Sequence, residues 1–330
     1  MPISSDDVKR GILAAKAEAA RRRWAKAQQQ VLVAGKVSAA FSQATASKAE
    51  EKYLAHGRTS VPELIVEHAE QLAALRSAVC DDPLFDPKRH DEIWLLRFVL
   101  SHKSNIPASA SAVRGCLAFR KQHNMDDPNL PICGPAALEV PEVAKLFSLM
   151  ASPAAQLYYT PDANRGAILI ITPAMVNTHA IIDNLSIEEH FLEQRLAAEW
   201  LFRQGDETTR RTGYLTKYVR LVNLDGMTLS KLNRDFMKRL AAIAGQMEES
   251  YPQMLGRVFV CNAPGWMYAV FRTMRPLLPA RVVEKVDFLA PRRHERDRDR
   301  LLQHVALEDL PEFLGGARTT WPPPNARFAP

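Results

Sequence analysis

Residues 249–278 read ESYPQMLGRVFVCNAPGWMYAVFRTMRPLL, and the rest of the chain is read outward from them. Tyr251-Pro252 marks a turn, and the apolar run Val258 to Cys261, bounded by polar residues and Pro264, has the length of a short buried strand. Asn262-Ala263-Pro264 then leads into a helical pattern over 265–278. At about 100° per residue, Trp266, Met267, Val270, Phe271, Met274, Leu277 and Leu278 share an arc of roughly 140°, with Arg275 at its edge and Arg272 further round. Such a helix either lies on a parallel sheet or forms a lid over an apolar cavity, and spacing alone does not separate the two.

The chain has 330 residues, 47% of them apolar, enough for one large domain with a helical annex or for two modest domains. A net charge of +6 favours anionic partners, either nucleic acid or an acidic membrane surface. Cys80, Cys116, Cys133 and Cys261 lie far apart with no C-x-x-C pair and no signal peptide before them, which indicates neither zinc nor a disulfide framework. A cytoplasmic setting is expected. No run approaches the ~18 apolar residues of a membrane span, so contact with a membrane is expected to be peripheral.

Residues 1–60 are Ala-rich and basic, with Ser4 to Asp7 as a helix cap and Arg21-Arg22-Arg23 beside Trp24. They suit a solvated or partner-binding extension, an interfacial helix or an organelle transit segment. From Val61 to about residue 150 the pattern is helical, with Leu64, Ile65, Leu72 and Leu75 at three- and four-residue spacing and a strong helix over Asp91 to Leu100. Pro131 to Pro141 reads as a connection, followed by a helix over Val143 to Met150. Ala167 to Thr172 is a continuous apolar strand, Ile187 to Gln204 a helix and Tyr218 to Gly226 a strand and turn. Leu229, Leu232, Phe236, Leu240, Ile243 and Met247 predict one uninterrupted helix. Val286 to Leu289 is the last strand, Arg292 to Arg300 a solvated loop or helix, and 317–330, with Pro322-Pro323-Pro324, a disordered tail. Strands separated by helical crossovers predict an α/β fold with a mostly parallel sheet.

Several words of this sequence resemble the CRAL-TRIO lipid-binding family. Tyr251-Pro252, Leu255-Gly256-Arg257, Phe259-Val260, Asn262-Ala263-Pro264 and the Phe271-Arg272 helix ending in Arg275-Pro276 match its strand-and-helix motif. Leu95-Leu96-Arg97-Phe98, with Lys103 and Asn105, and Phe119-Arg120-Lys121 match its N-terminal lobe. The closing Leu310-Pro311 to Gly315-Gly316 matches its end. The resemblance spans about residues 91–316 and implies a helical lobe over 61–150 and a lipid-binding domain over 151–316, whose sheet floors an apolar pocket closed by a gate helix. It implies that Trp266, Val270, Phe271, Met274 and Leu278 serve as gate and pocket residues. It carries the headgroup contacts of phosphoinositide-binding members onto Lys103 and Arg275, with Ala242 where a glutamate is usual. The hydroxyls that hold phosphatidylcholine are replaced by Arg220 and Val222, Tyr159 keeps one tyrosine of that site and Leu169 replaces another.

The chain carries no nucleophile elbow, no zinc-protease motif and no phosphate-binding loop, and its basic residues are not interleaved with aromatics as nucleic-acid modules require. The expectation is therefore a carrier without a chemical step, with no cofactor, metal or nucleic acid. It holds one phospholipid ligand, phosphatidylinositol or another anionic lipid, and meets an anionic membrane transiently. A protein partner for the N-terminal extension, a scaffold role, presentation of the lipid to a kinase, and an uncharged sterol or tocopherol ligand stay open as alternatives.

Overall fold

The computed structural model describes residues 59–150, 155–161, 165–277, 283–289, 295–320, 323 and 326–328. The expectations for residues 1–58 and for Leu278 lie outside that set, as does the side chain of Met274.

The N-terminal lobe is four helices: α1 (Val61–Glu67), α2 (Ala69–Val79), α3 (Glu92–Ser101) and α4 (Ile106–Gln122). Their starts follow from capping side chains. Ser60 accepts from the Glu63 amide, Asp91 from Trp94 and Asn105 from Ala108, so amides that would otherwise be orphaned are satisfied. Leu95, Leu96, Phe98 and Val99 of α3 are buried against Leu75, Val79, Val113 and Leu117 of α2 and α4. Lys103 and Ser104, between α3 and α4, both adopt positive φ, a conformation that non-glycine residues reach only when their surroundings impose it.

Two short helices, α5 (Gly134–Glu139) and α6 (Pro141–Leu149), follow. The Pro131–Pro141 stretch is thus partly helical, because prolines at N1 or N2 start both helices instead of breaking them. The domain proper then runs β1 (Gln156–Tyr159), β2 (Ile168–Ile171), α7 (Thr178–Asn184), α8 (Ile187–Thr212), β3 (Tyr218–Asn223), α9 (Arg234–Ser250), β4 (Leu255–Cys261), α10 (Met267–Met274), β5 (Val286–Phe288) and α11 (Glu295–Leu302). The sheet order is β1-β2-β3-β4-β5. Only the β1–β2 pair is antiparallel, which is the mostly parallel sheet that the crossover pattern predicts.

Several boundaries differ from expectation. Helix α8 continues to Thr212, because Arg97 of the N-terminal lobe reaches Asp206 and Thr209 on its last turns, and Gly213 ends it with φ +73°. The stripe from Leu229 to Met247 is interrupted. A 3-10 turn covers Leu229–Lys231, and α9 starts afresh where Asn233 accepts from the Asp235 and Phe236 amides. Strand β4 begins at Leu255, three residues early, since a register shift around Gly256 lets Leu255 pair with Tyr218 before Arg257 pairs with Val219. Arg327 corrects the reading of the C-terminal stretch as a loose tail. Its side chain is fully buried and donates to Glu193 and to the Ile132 carbonyl, and Ala326 bridges to Tyr159 of β1.

The sheet separates two apolar layers. Leu157, Tyr159, Ile168, Ile170, Val219 and Leu221 face Leu301, Val305 and Leu310 on one side. Alternate residues on the other side, such as Tyr158 and Leu169, face α8 and α9. The N-terminal lobe is clamped to this second layer by buried charge. Arg120 of α4 donates from Nη1 and Nη2 to Glu199 of α8 at 3.1 and 3.2 Å, and Tyr251 OH donates to the same carboxylate at 3.0 Å.

Candidate lipid-binding cavity

Helices α8 and α9 do not close down on the sheet. Between them is a cavity of about 400 Å³, within the usual range of small-molecule sites. Its floor is the alternate residues of each strand: Gln156 and Tyr158 of β1, Leu169 and Ile171 of β2, Tyr218, Arg220 and Val222 of β3, Val258 and Val260 of β4, and Val286 of β5. Its walls come from helical stripes at one spacing. His190, Gln194, Ala197, Ala198 and Leu201 line it from α8, and Phe236, Leu240, Ile243, Ala244 and Met247 from α9. Ala197, Ala198, Ala241 and Ala244 on these faces keep side chains short where space is left open. Phe271 of α10 reaches the cavity and packs edge-on against Phe288 of β5 at 5.0 Å.

The polar groups are few and mostly satisfied. Gln156 Nε2 donates to Tyr158 OH, and Lys231 Nζ donates to the carbonyls of Ala174 and Gly226. Burial pushes the Tyr158 phenol above its ordinary pKa, so it stays protonated. Arg220 is different. Its Nε is sealed from solvent without a hydrogen-bond partner, and no described carboxylate pairs with it. The residue as a whole is only half-buried, so the rest of its guanidinium is left to meet what fills the cavity.

The sequence-derived residues therefore divide. Arg220 and Phe271 line the cavity, as does Leu169. Tyr159 does not. It lies one residue out of phase on β1, under the opposite sheet face, where its OH donates to the Asp309 carbonyl, so of the two it is Tyr158 that faces the cavity. Lys103 and Arg275 are exposed and outside the lining, the first in the α3–α4 turn and the second in the 3-10 turn Arg275–Leu277 after α10. Ala242 is also exposed. Trp266 and Val270 are half-buried but not at the lining. The residues that sequence reasoning missed, Gln156, His190 and Gln194, are single polar positions within apolar stripes. Only the register of β1, for Gln156, and of α8, for His190 and Gln194, could have pointed to them.

Comparison with known proteins agrees with this geometry. Residues 154–316 match the CRAL/TRIO domain. A CRAL-TRIO domain-containing protein of Caenorhabditis elegans is 22% identical over 241 residues, 71% of this chain and 31% of the relative. The SEC14 cytosolic factor of Kluyveromyces lactis is 27% identical over 245 residues, 69% of this chain and 72% of the relative. A phosphatidylinositol/phosphatidylcholine transfer protein of Arabidopsis thaliana is 22% identical over 272 residues, 77% of this chain and 45% of the relative. The chain thus spans about a third of the nematode protein and under half of the plant one. Among solved structures, Sfh5 is 11% identical with a TM-score of 0.49, covering 69% of this chain and 80% of that one. With its cavity between a mostly parallel sheet and paired helices, and a domain match over 154–316, this chain carries a CRAL-TRIO domain.

Proposed function

We propose that the chain binds one lipid in this cavity and carries it between membranes without a chemical step, and that the lipid is an anionic phospholipid such as phosphatidylinositol. The observation that carries the reading is Arg220, a cation on the floor of a mostly apolar cavity, which forms no ion pair with a carboxylate among the described residues. A phosphate would supply the missing charge in bidentate form, while acyl chains fill the apolar walls at about 0.8 kcal/mol gained per buried methylene. The name of the plant relative, a phosphatidylinositol/phosphatidylcholine transfer protein, supports the same ligand class. Lys103 and Arg275, both exposed cations, serve in this reading as contacts for lipid phosphates at the membrane surface, where a chain of net charge +6 meets acidic bilayers favourably. No described helix is long and apolar enough to cross a membrane.

The test has two parts. Native mass spectrometry of the purified chain should find a phospholipid bound one to one. Arg220→Gln should then lower transfer of phosphatidylinositol between vesicles by about ten- to a hundred-fold, the worth of one charged hydrogen bond at about 1.5–3 kcal/mol. A co-purifying uncharged terpenoid, together with unchanged phosphatidylinositol transfer by the variant, would replace the anionic ligand with a neutral one.

A further inference from the structure

Two cavity residues carry a buried polar atom with no partner. One is Arg220; the other is His190. His190 sits in the first turn of α8, where Ser186 and Glu189 form a reciprocal cap that fixes the helix start, and α8 turns it, with Gln194 one turn later, toward the cavity. The side chain is 3% exposed and its ring stacks on Phe236 of α9 at 5.8 Å and 19°. Its surroundings are apolar: Ile181 of α7 and Phe236 and Leu240 of α9 line the same wall. Neither ring nitrogen hydrogen-bonds to another residue, and Nδ1 is sealed from solvent. Burial, with Arg239 nearby, lowers its pKa to about 4, so the ring is neutral at ordinary pH.

A neutral imidazole carries one proton on one of two nitrogens. A sealed, orphaned N–H donor is rarer than a sealed, orphaned acceptor, which assigns the lone pair to Nδ1 and the proton to Nε2. Nε2–H is then a donor without an acceptor among the described residues, beside the ring of Phe236. A ligand made only of hydrocarbon would leave it unsatisfied. A ligand with a neutral oxygen at that depth would not.

We propose that His190 is a specificity-determining contact that donates from Nε2 to a neutral oxygen of the bound lipid, a hydroxyl or an ester carbonyl, so that the cavity selects oxygenated amphiphiles over pure hydrocarbons. This rests on the reading of the cavity as a lipid site, and adds to the charge at Arg220 on the sheet floor a second, uncharged recognition point on α8. It does not depend on the charge of the headgroup.

The full chain is equilibrated with phosphatidylcholine vesicles carrying trace tritiated 1-hexadecanol, methyl palmitate or hexadecane, and the protein-bound counts are separated by gel filtration. Wild-type protein should take up the alcohol and the ester more strongly than the alkane. His190→Phe, which keeps an aromatic ring against Phe236, should lower uptake of both oxygenated probes about five-fold, the worth of one neutral hydrogen bond, and change hexadecane by less than two-fold. His190→Gln, which keeps an N–H at similar reach, should restore most of the loss, with circular dichroism checking the fold of both variants. An equal fall for all three probes, or none for the oxygenated pair, overturns the assignment and leaves His190 as a packing residue or the partner of a buried water. Uptake of none of the three by wild-type protein would instead defeat the lipid-cavity reading, and this inference with it.

Discussion

Arg327 offers the sharpest test of how the cavity is held. Its guanidinium and the Glu193 carboxylate are both 0% exposed and meet at 2.9 Å. Nε donates to the Ile132 carbonyl at 2.7 Å, the ring of Tyr158 lies 5.2 Å away, and the backbone of Arg327 donates to Tyr158 O at 2.8 Å and accepts from Gly134 N at 2.7 Å. The C-terminal segment therefore straps α5, α8 and β1 together behind the cavity wall. Arg327→Leu would leave the Glu193 side chain buried without its counter-charge, and breaking one partner of such a pair costs about 3–5 kcal/mol. Replacing both residues by leucine removes the charge and its demand together, and should recover most of that loss. Urea unfolding followed by circular dichroism and by tryptophan fluorescence, with Trp200 6.2 Å from Tyr158, measures both variants and checks whether the probes move together. If Arg327→Leu falls within about 1 kcal/mol of wild type, or if the double variant is no more stable than the single one, the buried pair does not hold the strap and the reasoning fails.

Three further outcomes are expected. Phe271→Asp, which puts a charge at the cavity edge beside Phe288, should abolish lipid transfer between vesicles while far-UV circular dichroism stays near native; persistent transfer would assign the gate to another element. Gly316→Ala should destabilise by about 1–3 kcal/mol in urea, because the added Cβ would lie 1.8 Å from the Leu310 carbonyl oxygen, and a variant of wild-type stability would contradict that approach. Acid should weaken the fold through His190. Its folded pKa of about 4 is below the unfolded 6.5, so the unfolded chain takes the proton first; stability is full above about pH 6.5 and is lost as pH falls toward 4, by up to about 3 kcal/mol. His190→Phe should remove that part of the pH dependence, measured as urea midpoints from pH 7 to pH 4.

The fold was legible because its signals are redundant. A parallel strand buried on both faces must be apolar throughout, as Ile168 to Ile171 is, and a crossover helix must show a stripe, as α8 and α9 do. The motif residues that carried the resemblance prove mainly to be staples. Arg97 holds Asp206 and Thr209, Arg120 and Tyr251 converge on Glu199, and the last two glycines end the domain because Gly315 needs φ +84° and Gly316 has no room for a side chain. Such positions are legible in sequence because only one residue type meets a backbone or buried-charge requirement. The interruption at Asn233 was not, since Leu229, Leu232 and Phe236 keep helical spacing across a 3-10 turn and a new cap.

The site was less legible for a physical reason that follows from strand geometry. Facing alternates with every residue, so a shift of one position moves a side chain through the sheet, as with Tyr158 in the cavity and Tyr159 beneath it. Motif matching across Tyr158-Tyr159 carries no such resolution, whereas Arg220 falls on the cavity face because β3 alternates without a break from Tyr218 to Asn223. His190 and Gln156 were hidden for another reason. A polar residue in an apolar stripe reads as a satisfied core position, and only the absence of a partner for His190, visible in three dimensions, marks it out. The two groups come from different elements of the cavity, Arg220 from the β3 floor and His190 from α8, with short-chained Ala197 and Ala198 on the same helix. A ligand that satisfies both must be amphiphilic at two points along its length, which a diacyl lipid with a phosphate and ester carbonyls is, and a plain hydrocarbon is not.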